Sequence, residues 1–370
     1  MFFNYQTKNS KDEYEKFLKV VGSLSNLFSE SNVPYLYYRV AEKLFCRAFN
    51  TEDLGRSDVS IDTKKENLGI GLKTFLAGNY KTLQKVTEFG SNDRELYEGL
   101  SPTKKVLKIA ELRNERISFT HRVYDIEKSI YHCVLRRENN FTIFEEDTNL
   151  IDIDNIKDVK KNKSSITFND GLDEYSFLLS KNTLTKRFDA TNYLHKFEVK
   201  ILENPLEFLI NSISTNALTY QNNIILETIY LPLYGKNHFV YENSGLNQWN
   251  AKGRKRDYNE VYIPIPVIIH KKYSNFFPNR ETPFELKLPN GKTIKSKICQ
   301  DGGKALMSYS NKELGNWILR DVLKLEEGKL LTYEKLQILG IDSVRIDKIN
   351  NELYEINFAK NGSYDSFIDN

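Results

Sequence analysis

Hydrophobic and polar positions change period several times along the chain. Residues 35 to 49 carry apolar side chains at helical spacing, which predicts an amphipathic helix with Glu42 on it. The period then drops to two. Asp58, Ser60 and Asp62 alternate with Val59 and Ile61, and Ile70 and Leu72 alternate with Gly71 and Lys73. The polar stretch between them, Thr63 to Gly69, contains Asn67 and Gly69 and reads as a hairpin loop. Leu83, Val86 and Phe89 return to helical spacing and predict a helix bearing Gln84 and Lys85. Residues 103 to 116 read as helix, and residues 121–135, 141–145, 165–169 and 174–179 as strands, with Asp170 and Gly171 as a turn signal.

Around residues 203 to 223 the pattern is interrupted by Pro205 and a polar run from Ser212 to Asn223. A second patterned region follows. Its stretch SGLNQWNAKGRKRDYNEVYIPIP, residues 244 to 266, places Trp249 and Gly253 in a polar loop with Arg254, Lys255 and Arg256. Asp257, Asn259 and Glu260 come next, and Val261 to Ile269 reads as an apolar strand with two prolines. Strands flank a turn at Pro289 to Gly291, and Gln300 and Lys304 precede a short helix through Trp317. A chain of 370 residues exceeds one typical core. The expected division is 1–205, a linker at 206–223, and 224–370.

The first hairpin can put Asp58, Asp62 and Lys73 on one face. Phosphodiester cleavage needs a hard cation on the scissile phosphate, carboxylates to hold it, and a positive group near the attacking water and developing charge. Two acids and a lysine supply those parts. Four residues along a strand span about 13 Å, so Asp58 and Asp62 do not share one ion unless a bulge intervenes. A turn at Glu66 and Asn67 sets Asp62 opposite Gly71 and diagonal to Lys73, whereas a turn nearer Lys64 brings Asp58 there. Edge strands also carry acids and lysines as a solvated face, so the pattern suits a plain charged hairpin as well.

With its flanks, the segment from 39 to 89 resembles the PD-(D/E)XK nuclease fold. The resemblance implies that Glu42 on a helix, Asp58 or Asp62 on a strand, Lys73 on the next strand and Gln84 on a following helix form one catalytic site. Glu42, Asp58 and Asp62 would then be the metal ligands, with Mg2+ as cofactor. Gly71 departs from the pattern, because the family usually has an acid or glutamine two residues before the lysine.

A basic, hydrogen-bond-rich loop beside a rigid strand suits phosphate anchoring and base-edge reading, with arginine and lysine matching guanine, asparagine adenine, and acids cytosine. Residues 224 to 357 resemble the C-terminal domain of the NgoFVII family of restriction endonucleases. Ser244 to Asn247, Trp249, Gly253, Arg254, Arg256, Glu260 to Pro266, Phe277, Pro278, Phe284, Gly291, Lys304, Ala305, Leu314 and Gly315 carry that resemblance. It implies a mainly β DNA-binding pseudobarrel like that of the EcoRII effector domain and plant auxin-response factors, with two loops that clamp the major groove. Arg254, Lys255, Arg256, Asp257 and Asn259 would belong to one arm, with Trp249 in the same loop. Gln300 to Ser308, with Gln300 and Lys304 as its DNA contacts, would form the other. Some relatives cut without metal through a His-X-Lys of the phospholipase D type. The expectation here is cutting by the hairpin instead.

Charge adds one restriction. Fifty-three basic against 50 acidic residues leave +3, so any basic footprint is local. Three scattered cysteines, Cys46, Cys133 and Cys299, fit thiols of a reducing cytoplasm, and the five histidines have no metal-binding spacing. No apolar run approaches membrane-spanning length. The expected fold class is α+β: a PD-(D/E)XK-like α/β nuclease domain followed by a β pseudobarrel. The expected function is that of a cytoplasmic type II restriction endonuclease, which hydrolyses double-stranded DNA with Mg2+ at or near a short sequence, with a homodimer compatible. Two alternatives are a modification-dependent or effector-stimulated endonuclease, and a non-enzymatic DNA-binding protein with a decayed nuclease fold.

Overall fold

The computed structural model describes residues 1–55, 60–78, 81–212, 226–243, 245–247 and 257–369. Two compact units divide the chain. Residues 1–89, 97–114 and 126–220 form the first, and residues 90–96, 115–125 and 221–370 the second.

The first unit opens with helices α1 (Lys8–Ser23) and α2 (Tyr38–Phe49). Thr7 caps α1 by accepting from the Ser10 N–H, and Tyr14, Leu18 and Gly22 form its buried stripe. Helix α2 buries Ala41, Phe45, Ala48 and Phe49 and ends at Asn50, whose left-handed backbone stops it. The strands then run β1 (Glu52–Asp53), β2 (Thr63–Lys65), β3 (Leu68–Leu76), β4 (Lys81–Glu88), β5 (Lys128–Arg137) and β6 (Asn140–Asp147). They continue as β7 (Lys157–Lys161), β8 (Ser165–Asn169), β9 (Glu174–Leu178), β10 (Thr183–Asp189) and β11 (His195–Glu198). One sheet has the order β1-β2-β3-β5-β6-β11 and the other β4-β10-β9-β8-β7. Only the β3–β5 pair of the first sheet is parallel, and the crossover between those strands runs through β4 and helix α3 (Pro102–Tyr124).

Strand alternation sends Ile70, Leu72, Ile130 and Val134 toward α1 and α2, where they pack with Phe45 and Phe49. Burying each such side chain contributes roughly 1.5 to 3 kcal/mol. The opposite face carries Phe75, Tyr131, Cys133 and Phe144, which pack with Val86 and Phe188 of the second sheet.

Three expectations fail among these elements. The first strand of the hairpin is β2, inside the stretch Thr63–Gly69 expected as loop, and residues 60–62 are not strand, since the Asp62 carboxylate takes the Leu72 N–H in place of a ladder bond. Residues 83–89 are not helical. The β-branched Thr82, Val86 and Thr87 favour a strand, and β4 pairs with β10 along its whole length, which outweighs three apolar residues at helical spacing. Residues 121–124 are the last turn of α3 rather than strand, because buried Ile117, Thr120 and Tyr124 continue its helical stripe until Asp125 turns left-handed.

Helix α4 (Pro205–Ser212) lies within the segment expected to be linker. In the second unit β12 (Glu227–Pro232), β13 (Ile263–Pro264), β14 (Pro283–Lys287), β15 (Thr293–Cys299), β16 (Ala305–Ser308), β17 (Ile341–Lys348) and β18 (Leu353–Lys360) form one sheet. Its order is β12-β17-β18-β14-β15-β16-β13, and the end strands β12 and β13 also lie against each other, so the sheet is nearly closed. Leu286, Ile298, Leu306, Val344, Ile356 and Phe358 are buried in it. The strand expected over 261–269 shrinks to two residues. Pro264 and Pro266 lack the N–H a ladder needs, and Pro266 instead sits at the N-cap of helix α5 (Val267–Lys272).

The last ten residues of α3 are bound into this second unit. The Phe119 ring meets Phe358 edge-on at 5.3 Å, Arg122 Nε donates to the Val322 carbonyl at 2.7 Å, and Tyr124 Oη donates to Asn357 Oδ1 at 2.6 Å. Arg122 is therefore held inside its own unit.

Candidate active site and nucleic-acid interface

The β2–β3 hairpin pairs Thr63 with Ile70, Lys64 with Gly69 and Lys65 with Leu68, so its turn is Glu66 and Asn67. Glu66 adopts φ 52°. Of the two registers open from the sequence, this one is the turn at Glu66 and Asn67, and it brings Asp62 beside Ile70 and Leu72 of β3. The Asp62 N–H donates to the Ile70 carbonyl at 3.0 Å, and its Oδ2 accepts from the Leu72 N–H at 2.6 Å. A side-chain oxygen thus occupies an acceptor position that a neighbouring strand would otherwise fill.

Burial pushes the Asp62 carboxyl up, against the pull of Lys73, the Leu72 N–H and Arg39. Glu42, buried on α2, is pushed up to about 7 by burial and by the Asp62 charge, with Arg39 opposing. Arg39 and Glu42 form an ion pair three residues apart on α2. The Asp53 charge raises both acids further. Buried carboxylates that resist each other's ionisation are relieved by a cation between them, and hard oxygen donors suit Mg2+. Glu42 and Asp62 offer oxygen donors of that kind. Among the described residues no group of three or more His, Cys, Asp or Glu is placed to hold a metal. Asp58 lies outside them.

Lys73 Nζ stands 5.7 Å from the centre of the Tyr131 ring. Tyr131 is the β5 partner of Gly71, and a Cβ on Gly71 would come within 3.1 Å of that ring. The ring fills the place where the nuclease pattern carries its second acid, which explains the glycine in physical terms.

The structure therefore brings Glu42, Asp62 and Lys73 into one electrostatic neighbourhood. Gln84 is placed differently from expectation, on strand β4, opposite Lys186 in the five-stranded sheet. Lys186 is nearly buried between Glu146 at 2.5 Å and Asp173 at 2.8 Å. Arg39 and Asp53 went unnoticed in the sequence. The available signal was Arg39 one turn before Glu42, and acids directly after the helix.

In the second unit Trp249, Arg254, Lys255 and Arg256 lie outside the described residues. Asp257 is drawn down by its hydrogen bond from Lys312, at 2.9 Å, and by the Asn259 N–H. Asn259 Oδ1 accepts from Arg320 Nε at 2.8 Å. Both side chains thus brace the base of their loop. Of residues 300–308, expected to form the second arm, Ala305 to Ser308 are a buried strand and residues 300–304 form a loop. Gln300 in that loop has φ 67°, followed by Gly302 and Gly303 at 73° and 68°. Lys304 is exposed.

The chain does contain one His-X-Lys, His270 to Lys272, on α5. Its His270 Nε2 lies 2.9 Å from the Gly303 carbonyl and Lys272 Nζ donates to the Ile368 carbonyl at 3.0 Å, so both groups are engaged with backbone.

Residues 221–350 match the family model of the NgoFVII C-terminal B3-like DNA-binding domain. No curated protein matches the chain. The match supports DNA as the partner of the C-terminal region and a restriction-system context for the protein. Among the described residues no helix is long and apolar enough to cross a membrane.

Proposed function

We propose that the protein is a site-specific deoxyribonuclease of the type II restriction class, cutting double-stranded DNA with Mg2+ at or near a short sequence read by its C-terminal domain. The observation that carries the reading is the hairpin, where Asp62 bonds the β3 backbone at Ile70 and Leu72, feels the Lys73 charge and couples to Glu42. Asp62 and Glu42 would hold the ion, which when bound supplies Lewis-acid polarisation of the scissile phosphate. Lys73 brings a fixed positive charge to the attacking side, where negative charge develops. A cytoplasmic location and a homodimer belong to the same reading.

A second reading, a DNA-binding protein without cleavage, is favoured by the Tyr131 ring in the acid's place and by the Arg39–Glu42 pair. Digestion of unmodified genomic DNA with Mg2+ and with EDTA, followed by sequencing of the ends, separates the two. The proposed function gives ends that share a sequence and need Mg2+. Intact DNA in both arms, with duplex binding retained, supports the second reading.

A further inference from the structure

The C-terminal unit contains a cavity of about 530 Å³ where the end of β12, the β13–α5 turn and the β15–β16 loop converge. We propose that it seats a single nucleobase turned out of duplex DNA. The proposal rests on the reading of this unit as a DNA-binding domain, and it adds a pocket to that surface.

The size lies within the range of about 300 to 1,000 Å³ typical of small-molecule sites. The walls are rigid and flat. Pro232, Pro264 and Pro266 fix the backbone on one side, and Tyr234, Tyr262 and Tyr364 supply aromatic surface. Tyr234 is held as a wall, its hydroxyl donating to Asp365 at 2.9 Å and its ring stacked on His238 at 4.7 Å. Aromatic surface of this kind accepts any base face, whereas reading the base needs a polar group aimed at its edge.

Gln300 offers that group. It lines the cavity, is half-buried, and its amide makes no hydrogen bond to a described residue. An amide carries both donors and an acceptor, which match the mixed edge of a base. The left-handed backbone at Gln300 is uncommon for a residue with a side chain, and such conformations concentrate at ligand sites. Lys236 and Lys304, both exposed, also line the cavity and suit the flanking phosphates. An apolar ligand without polar edges would leave Gln300 and both lysines unused.

The test uses the full chain in EDTA with a duplex that the protein itself selects from a randomised library. 2-Aminopurine replaces each base in turn on both strands. Wild type is expected to raise fluorescence several-fold at one position and its neighbours, reporting unstacking. Val267→Trp, which narrows the cavity from an exposed rim position, is expected to abolish the rise, and Gln300→Ala to lower discrimination among bases there by about tenfold. A selected duplex that binds tightly with no unstacking anywhere overturns the pocket and leaves the DNA-binding reading standing. Persistence of the rise in Val267→Trp also overturns it, because the base then sits elsewhere. Saturable binding of free deoxynucleosides without duplex unstacking assigns the cavity to a mononucleotide and overturns DNA as the source. Failure to select any duplex removes the DNA-binding reading itself.

Discussion

The Leu72 N–H donates to Asp62 Oδ2 at 2.6 Å, so the same carboxylate that faces Lys73 also completes the β3 backbone. Structure and chemistry therefore separate by substitution. Asp62→Ala leaves a buried N–H without its acceptor, at a cost of about 1 to 3 kcal/mol. Asp62→Asn keeps an oxygen there and removes the charge. Thermal melts are expected to show a clear loss of stability for the alanine variant and a small one for asparagine, while both lose cleavage. Asp58→Ala is expected to differ in severity from Asp62→Ala, since loss of Asp62 also leaves the Leu72 N–H without its acceptor. Equal melting of both Asp62 variants would remove the hydrogen bond from the account.

Glu42 sets a pH dependence in the metal-free protein. Its folded value of about 7 lies above the ordinary carboxylate range, so below that range the group is protonated in both states and makes no difference. As pH rises toward about 7 the unfolded chain gives up a proton that the folded protein keeps, and stability falls; above about 7 the whole penalty is present. Glu42→Gln is therefore expected to match wild type near pH 4 and exceed it by about 1 to 3 kcal/mol near pH 8, in EDTA. Added Mg2+ is expected to shrink the difference. Urea titrations across that range measure it, and a variant less stable than wild type at the higher pH contradicts the assignment.

Tyr131 holds Lys73 through its ring face and closes the space above Gly71. Tyr131→Phe keeps the ring and is expected to cut at near wild-type rate. Tyr131→Leu removes a cation–π contact of about 0.5 to 2 kcal/mol and is expected to lower kcat several-fold with KM nearly unchanged. Gly71→Glu alone is expected to lower activity, because its side chain competes with the ring. A gain in rate for Gly71→Glu would show that the place is open to an acid.

Arg254 and Arg256 are expected to serve phosphate anchoring or base reading, and alanine substitution separates the two roles. A base reader, replaced by alanine, loses roughly 1 to 3 kcal/mol at one position of the recognised site. A phosphate anchor weakens every sequence alike and lowers the salt slope by about one. At least one of the two is expected to behave as a base reader in gel shifts against single-base variants at two salt concentrations. Uniform weakening in both variants would move sequence reading to other residues.

Only the second strand of the hairpin was legible, because β2 falls on Thr63–Lys65, which has no apolar alternation of its own, whereas the amphipathic helix around Glu42 was legible through its strong period. Strands β8 and β9 were legible for the same reason, with Gly171 at φ 89° between them. Strand β4 was not. Its three apolar residues fit a helix stripe equally well, and only the pairing with β10, about a hundred residues away, decides the matter. Residues 115–124 likewise read as part of a helix and strand beside the first region, yet Phe119, Arg122 and Tyr124 bind residues two hundred or more positions later. Of the site, Glu42, Asp62 and Lys73 were visible as residue types. Asp53 and Arg39 were not, because their influence acts through space on Glu42 and Asp62 and leaves no periodic mark.

The central claim is that the hairpin bearing Asp62 and Lys73 cuts DNA, and Lys73→Ala tests it most directly. Lys73 is assigned to the chemical step and recognition to the C-terminal domain. Wild type and Lys73→Ala are to be compared on the same duplex in Mg2+, by single-turnover cleavage and by gel shift. The account predicts a fall in cleavage of about 10²-fold or more with specific binding nearly unchanged. A Lys73→Ala protein that cuts at near the wild-type rate would contradict it.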